Sequence, residues 1–424
     1  MTTRIAIIGG GTGGLCLAHG LRKAGADVSV HERSRTRTER LQGYRVHINP
    51  QGSAALHECL PPELWERFLA TTGTTGGEFS FVTERLKDLM VIDSELTWSP
   101  DPASNHHSVS RISLHQVLSD GLDGVLHHGK EFVGYRREGE VVVCEFADGS
   151  TVEADLVIGA DGANSRVRKQ FLPEAERIDT GIVAIAGKHP LTAETRERLP
   201  VRLTDGPSLV MPRTGAGLFS APHELDGTAS VNDETASYDP VLFDNTSSYI
   251  MWAFAADNRR YPDGVSSWDG EALRALVLDL IDGWDPAFKE LVAGSPAGSV
   301  SRLPVFTSKP VAPWPTSNIT LLGDAIHSMT PFRGIGANTA LRDARLLCRN
   351  LVAARETGDV RTAVADYERQ MRDYGFAAVR DSERSARQFV SENRVSRAMA
   401  RGMFRFFQAV PPLKRKAFSD QGTS

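Results

Sequence analysis

RIAIIGGGTGGLCLAHGLRKAGADVSVHER, residues 4–33, is the stretch whose reading decides the fold. Ile5 to Ile8 is a short apolar run, the pattern of a parallel strand buried on both faces. Gly9, Gly11 and Gly14 follow at GxGxxG spacing, with Thr12 and Gly13 between the last two. Leu15 to Lys23 reads as a helix that Gly25 stops; Val28 to Val30 starts a second strand, and Glu32 stands at its end. Gly9 permits a tight turn, Gly11 lets a pyrophosphate approach the backbone, and Gly14 lets helix and strand pack closely. The free N–H groups and partial positive charge of the helix N-terminus suit phosphates. Glu32 lies where a carboxylate accepts hydrogen bonds from a ribose. The strand before, the helix after and the acid behind make this a dinucleotide-binding unit rather than a plain glycine turn.

A chain of 424 residues is long for one core, so two or more domains are expected. A net charge of −5 leaves no electrostatic footprint for nucleic acid. No apolar run reaches the length of a membrane span. The first strand begins almost at once, so no signal peptide is expected. Cys16, Cys59, Cys144 and Cys348 are far apart in sequence and form no metal-like pair. Cys16 and Cys348 sit in apolar helical patterns as buried filler. A reducing cytoplasm is the simplest compartment, and oligomeric state is not legible.

Downstream, Ser34 to Gln42 reads as a loop and Gly43 to Asn49 as a strand. Ser53 to Cys59 and the stretch after Pro61 read as helices, and Thr71 to Gly77 as a crossing between domains. Helix Ser113 to Leu122 follows Arg111, and Asp148-Gly149 turns a hairpin. Residues 173–297 change character: strand candidates Ile182–Gly187, Ser208–Pro212, Leu218–Ala221 and Ser248–Ala255 are separated by Gly, Pro and Asp. From Asp343 onward the pattern is helical.

Two further motifs carry chemistry. Leu156 to Arg168, LVIGADGANSRVR, is an apolar strand running into Asp161-Gly162, with Ser165 able to cap a helix. Ile319 to Asn338, ITLLGDAIHSMTPFRGIGAN, is an apolar strand ending in Gly323-Asp324, where a carboxylate can meet a polyol hydroxyl. A glycine-rich turn then leads to a long helix near Ala337, whose N-terminus is aimed at something electron-rich.

Together, GxGxxG…Glu32, Asp161-Gly-x-x-Ser-x-x-Arg168 and Gly323-Asp324-Ala-x-His327-x-x-x-Pro331-x-x-Gly334-x-Gly336-x-Asn338 resemble the single-component FAD-dependent aromatic hydroxylases of the p-hydroxybenzoate hydroxylase fold. Within that family the chain looks most like the compact tetracycline-inactivating monooxygenases, which end in helices. The resemblance implies a mixed α/β fold: a Rossmann-like FAD-binding domain with an inserted, mostly antiparallel substrate sheet and C-terminal helices. The expected division is 1–75, 104–172 and 298–345 for FAD, 76–103 and 173–297 for substrate, and 346–424 for the helices.

The resemblance also implies site residues. Gly9, Gly11, Gly14, Glu32 and Arg33 match the ADP-binding positions. Arg111 matches a residue reaching the pyrophosphate or ribityl region. Asp161 and Arg168 match the motif used for FAD and NAD(P)H together. Gly323 and Asp324 match the ribityl contact, and Pro331 the residue beside the isoalloxazine. Gly334, Gly336, Ala337 and Asn338 match the turn and helix start under the pyrimidine edge, where a helix N-terminus stabilises the charge of the reduced ring. Arg45 either meets a cofactor phosphate or lines the channel. His327 holds a place that in the family is structural or near the cofactor, and not catalytic. No metal site is implied.

FAD, bound tightly without a covalent link, would be reduced by transient NAD(P)H and react with O2 to a C4a-hydroperoxide that oxidises an electron-rich aromatic or polyketide-like molecule. Substrate-lining stretches are expected from Phe79 to Trp98 and from Ile182 to Ala255, with Met211, Phe219, Met251, Trp252, Phe254 and Phe332 as candidates; Arg213 reads first as exposed loop and second as meeting a polar substrate group or NAD(P)H, and with Arg45 and Pro331 it is a candidate to assist the flavin's chemistry. Epoxidation, Baeyer–Villiger insertion or a non-catalytic FAD-binding role are the alternatives; the Trp-x-Trp-x-Ile-Pro stretch of flavin halogenases is absent. The basic, aromatic segment from Arg394 to Lys416 reads first as an amphipathic helix packed on the body, and second as a peripheral membrane contact.

Overall fold

The computed structural model describes residues 3–36, 45–73, 78–93, 99–213, 215–224 and 247–418. The expected loop Ser34–Gln42, the crossing beyond Gly73 and Trp98 lie wholly or partly outside them. The first motif forms strand Arg4–Ile8, helix Thr12–Lys23 and strand Asp27–His31. They nucleate a five-stranded parallel sheet in the order Ile319–Leu321, Leu156–Gly159, Arg4–Ile8, Asp27–His31, Leu126–His127. Ile7, Val30, Val157, Ile158 and Leu321 are fully buried in it, as parallel strands covered on both faces must be. One hydrophobic cluster joins this sheet to helices Thr12–Lys23, Pro50–Cys59 and Gly336–Thr357. Helix Gly336–Thr357 runs through residue 345 unbroken, so the helical C-terminal region shares the cofactor unit's core and does not start a new layer there.

A second sheet has seven strands: Ser301–Ser308, Arg177–Pro190, Tyr249–Asp257, Ala216–His223, Ser208–Val210, Phe79–Val82 and Asp88–Ile92. Every neighbouring pair is antiparallel except Ser208–Val210 with Phe79–Val82. Side chains alternate between its faces. Val183, Ile185, Leu218, Ile250, Trp252 and Phe254 point to one face and pack against Leu273, Val277, Phe288 and Leu291 of helices Gly270–Leu280 and Pro286–Ala293. Ser301–Ser308, just past the expected boundary at residue 298, pairs with Arg177–Pro190 in this sheet. It is an edge strand holding Pro304, and Ser301-Arg302-Leu303-Pro304 lacks the alternating apolar pattern that marks a half-buried strand.

The opposite edge, Asp88–Ile92, is covered by helix Arg394–Ala409 and by helix Pro411–Phe418, which Pro411 and Pro412 open. Gln408 Oε1 accepts the Val91 N–H at 2.9 Å and Lys414 Nζ donates to the Val91 carbonyl at 3.0 Å, so the edge strand's backbone is satisfied by side chains. Phe404 stacks on Phe81 with centroids 4.4 Å apart. The helix packs on the body, but with a largely polar face turned inward. Its inward face carries Arg397 and Arg401, while Met399 and Phe406 are 71% and 55% exposed. Arg397 donates to the carbonyls of Pro212, Phe389 and Ala216, each at 2.8 Å, and Arg401 pairs with Glu84 at 3.1 Å. Burial, with Arg401 beside it, lowers the Arg397 pKa to about 10.

Removing Arg397 takes a donor from each of three carbonyls. Arg397→Ala should lower the unfolding free energy by about 2–4 kcal/mol, whereas Arg394→Ala, on the exposed side, should change it by less than about 0.5 kcal/mol. Urea unfolding of the two variants checks this; equal midpoints would remove the anchoring role.

Candidate functional site

Three adjacent parallel strands end side by side. Arg4–Ile8 delivers Gly9, Leu156–Gly159 delivers Asp161, and Ile319–Leu321 delivers Asp324. Gly9 has φ +112°, and a β-carbon there would lie 2.3 Å from the Ala160 carbonyl oxygen. A β-carbon at Gly14 would sit 2.3 Å from the Gly9 oxygen, but at Gly11 it would meet no protein atom within 4 Å. The glycines that pack are thus distinct from the one that faces open space, at the N-cap of helix Thr12–Lys23.

Glu32 crosses from the neighbouring strand to this turn. Its Oε2 accepts the Gly10 N–H and its Oε1 the Ser34 N–H, both at 2.8 Å. Burial alone would raise its pKa, but these backbone donors outweigh it and hold the carboxyl below its ordinary value. His115 binds the Gly10 carbonyl at 3.0 Å from helix Arg111–Ser119. Sequence reading missed it, although it stands one helical turn from Arg111 on the same face.

Asp324 is surrounded by protein but exposes its side chain. Its surroundings raise its pKa by desolvation, against the pull of His327, Arg111 and Arg177. Arg177, also missed, stacks over Phe306 at 4.5 Å. Asp161 turns inward: Oδ2 accepts the Arg166 and Val167 N–H groups at 2.7 and 3.2 Å, while Oδ1 is buried without a partner. Arg168 is 4% exposed and donates to the carbonyls of Ala325 at 2.7 Å and Ala163 at 3.1 Å. It clamps the second motif to the third.

The third motif forms short helices Asp324–His327 and Pro331–Arg333, a left-handed turn at Gly334, and helix Gly336–Thr357 with no side-chain cap. Pro331 and Gly334 are exposed, and Ala337 is half-buried. Asn338 is buried and looks backward. Its Oδ1 accepts the Asn49 N–H at 2.8 Å and its Nδ2 donates to the carbonyls of His47 at 2.8 Å and Gly334 at 3.2 Å. Beneath the loop, His327 Nε2 lies 2.6 Å from Asp343 Oδ2, which also accepts the Gly323 N–H at 2.8 Å; Tyr374 donates to Oδ1 at 2.5 Å. Burial would lower the His327 pKa, but Asp343 reverses this and raises it.

On the sheet face opposite the covering helices, Leu209, Ala184 and Ala255 cluster with Phe389 and Phe332, whose rings lie 5.0 Å apart. Met211, Phe219 and Met251 share this face by alternation and are half-buried. One end of the face is polar. Arg45 Nε donates to Ser108 Oγ at 2.5 Å and forms no ion pair among the described residues, and Ser108 Oγ lies 3.4 Å from His223 Nδ1. Burial lowers the pKa of Arg45 to about 10. Burial, then Arg45, holds His47 at about 3 and His223 at about 4.

Residues 2–204 and 293–382 match the family described as FAD binding domain. The chain belongs to that family. It is 30% identical over 378 residues to a dual O-methyltransferase/FAD-dependent monooxygenase of Phaeosphaeria nodorum, covering 80% of this chain and 39% of that protein. The chain thus spans about two fifths of that relative's length. A Photorhabdus luminescens structure assigned as an FAD-containing monooxygenase superposes with TM-score 0.81 at 37% identity, over 92% of this chain and 99% of that one. The fold is also that of Klebsiella pneumoniae HpxO complexed with FAD and uric acid, at TM-score 0.80 and 21% identity, covering 99% and 96%. The chain is an FAD-dependent monooxygenase family member.

An FAD fits the residues at the strand ends: Gly11 is open where a side chain would obstruct, Glu32 keeps lone pairs free, and Asp161 Oδ1 is an orphaned buried acceptor. Four other expected residues are engaged by protein groups. Trp252 and Phe254 lie on the far face of the substrate sheet, where Trp252 donates to Ser295 at 2.7 Å. Arg168 donates through its two Nη atoms, with Nε buried and unpartnered, and Asn338 through Nδ2, to protein carbonyls. Arg33 and Arg213 are exposed.

Glu32→Ala should weaken FAD binding by about 1.5–3 kcal/mol, roughly ten- to a hundredfold in Kd; fluorescence titration of the apoprotein reads it, and an unchanged Kd would remove the assignment. The histidines add a pH signature. Their folded pKa values lie below the ordinary 6.5, so the stability they contribute is present above that value and lost as pH falls towards 4. Each contributes a slope of about 1.4 kcal/mol per pH unit in that window. The combined variant His47→Gln/His223→Gln should show a shallower decline of stability from pH 6.5 to 4.5 than the parent, measured by urea unfolding; parallel curves would contradict the buried neutral state.

Proposed function

We propose that this chain is an NAD(P)H-consuming monooxygenase that transfers one oxygen atom of O2 to an electron-rich aromatic or polyketide-like small molecule. The observation that carries the reading is the meeting of two surfaces: the strand ends bearing Gly9, Glu32 and Asp324, and the open sheet face bearing Met211, Phe219 and Met251 beside Phe332. FAD, when bound, supplies the redox chemistry and the activation of dioxygen.

The chain's own residues do the rest. Gly11 and the N-terminus of helix Thr12–Lys23 would hold the pyrophosphate, Glu32 a ribose, and Asp324 with Arg111 the ribityl region. The start of helix Gly336–Thr357 has no side-chain cap, so its free N–H groups would favour negative charge on a flavin ring held there. Asn338 holds that helix start against strand Arg45–Ile48, which keeps these donors in place. The apolar sheet face orients the substrate's ring and excludes water, and Arg45 and His223 offer donors to its polar end. His223 stays neutral above about pH 4, so it acts there as a neutral hydrogen-bond partner.

The purified protein should carry about one FAD per chain and consume NADPH or NADH faster with substrate than without, because no second dinucleotide motif holds the reductant in place. Stopped-flow reduction with and without stimulating compounds, followed by mass spectrometry under heavy-isotope dioxygen, tests this. Label in an organic product supports oxygen transfer. NAD(P)H oxidation that yields only hydrogen peroxide across an aromatic and polyketide panel would count against it, and equal reduction rates would remove substrate gating.

A further inference from the structure

Helix Arg394–Ala409 is built inside out, and the orientation is locked. Arg397, Arg401 and, just beyond, Lys414 are each under 9% exposed and bonded to the substrate sheet or the loops beside it. Turning its apolar stripe inward would carry these cations out to solvent and strip the Pro212 and Ala216 carbonyls and the Glu84 carboxylate of their donors. Val395, Met399, Met403 and Phe406 recur at i, i+4, i+8 and i+11, one face of a helix, and are 69%, 71%, 49% and 55% exposed. Leu413, 42% exposed, continues the surface. Of nine large apolar side chains exposed among the described residues, five lie in this one segment, so the patch is not scattered surface.

The charge around the patch says what covers it. Residues 393–418 contain seven Lys and Arg and no Asp or Glu, in a chain whose net charge is −5. Arg394, Arg405 and Arg415 are exposed. A second copy docking through the same face would bring these arginines against their own kind, which is unfavourable. An anionic lipid surface meets both demands: headgroups pair with the arginines while Met399, Met403 and Phe406 enter the acyl boundary. No helix among the described residues is long and apolar enough to cross a membrane, so contact is in the plane of the interface.

We propose that this face docks the protein onto an anionic bilayer surface, whatever reaction the cleft performs. The test is co-sedimentation of the FAD-loaded full chain with phosphatidylcholine vesicles, with and without phosphatidylglycerol, at physiological salt. The wild type should pellet with the anionic vesicles and be partly released by high salt. Met399→Glu/Phe406→Glu should lower the bound fraction about tenfold or more, with FAD content and unfolding midpoint unchanged, and Arg394→Glu/Arg405→Glu should weaken binding to anionic vesicles selectively. Absence of the wild type from the anionic pellet, or equal pelleting of Met399→Glu/Phe406→Glu, would overturn the proposal. So would a wild-type dimer on gel filtration that Met399→Glu/Phe406→Glu converts to a monomer, which would assign the face to a second copy.

Discussion

The parallel register of strands Arg4–Ile8, Leu156–Gly159 and Ile319–Leu321 is the constraint on which the rest of the molecule depends. Parallel strands point the same way, so their C-terminal ends emerge at one edge, where ligands of open α/β sheets bind. More than 300 residues of chain separate Gly9 from Asp324, yet two strand pairings bring their strands together. The apolar runs that make these strands allow no slippage: each is buried on both sides, and a shifted register would put glycines into the core and isoleucines at the turn.

Strand pairing alone does not shape the loops that follow. Buried polar contacts do that. Arg168 ties the second motif to the third through backbone carbonyls, and Asn338 ties the third to strand Arg45–Ile48. Asp343 gathers His327, Tyr374 and the Gly323 N–H around one carboxylate. Such groups are costly to bury unless satisfied, and their directional bonds restrict the loops to one arrangement. The motif residues are therefore of two kinds. Some stand open at the strand ends, and others hold the loops around them.

The same logic governs the substrate layer. A seven-stranded sheet has two edges to protect. One edge strand carries Pro304, and the other is capped by Gln408 and Lys414 side chains. Using a polar helix face to satisfy a sheet edge leaves that helix's apolar face outward, so its exposed methionines and phenylalanine follow from the edge constraint as much as from the helix's own pattern.

Much of the cofactor unit could be read from local pattern, because its signals are local. An apolar run, glycines at set spacing and an acid at the next strand end occupy one short stretch, and each has a physical reason to stand where it does. The alternating strands of the second sheet were also legible, but not which face they turn to the cleft. Period two assigns Met251 and Trp252 to opposite faces, while only the docked helices Gly270–Leu280 and Pro286–Ala293 determine that Trp252 is core. Ser301–Ser308 escaped notice because an edge strand holds its place by hydrogen bonds to a partner rather than by its own apolar pattern. Arg168, Asn338 and Arg397 show the same division: composition says that each can donate hydrogen bonds, but the carbonyls that receive them belong mostly to segments far away in sequence, and only the tertiary structure brings donor and acceptor together.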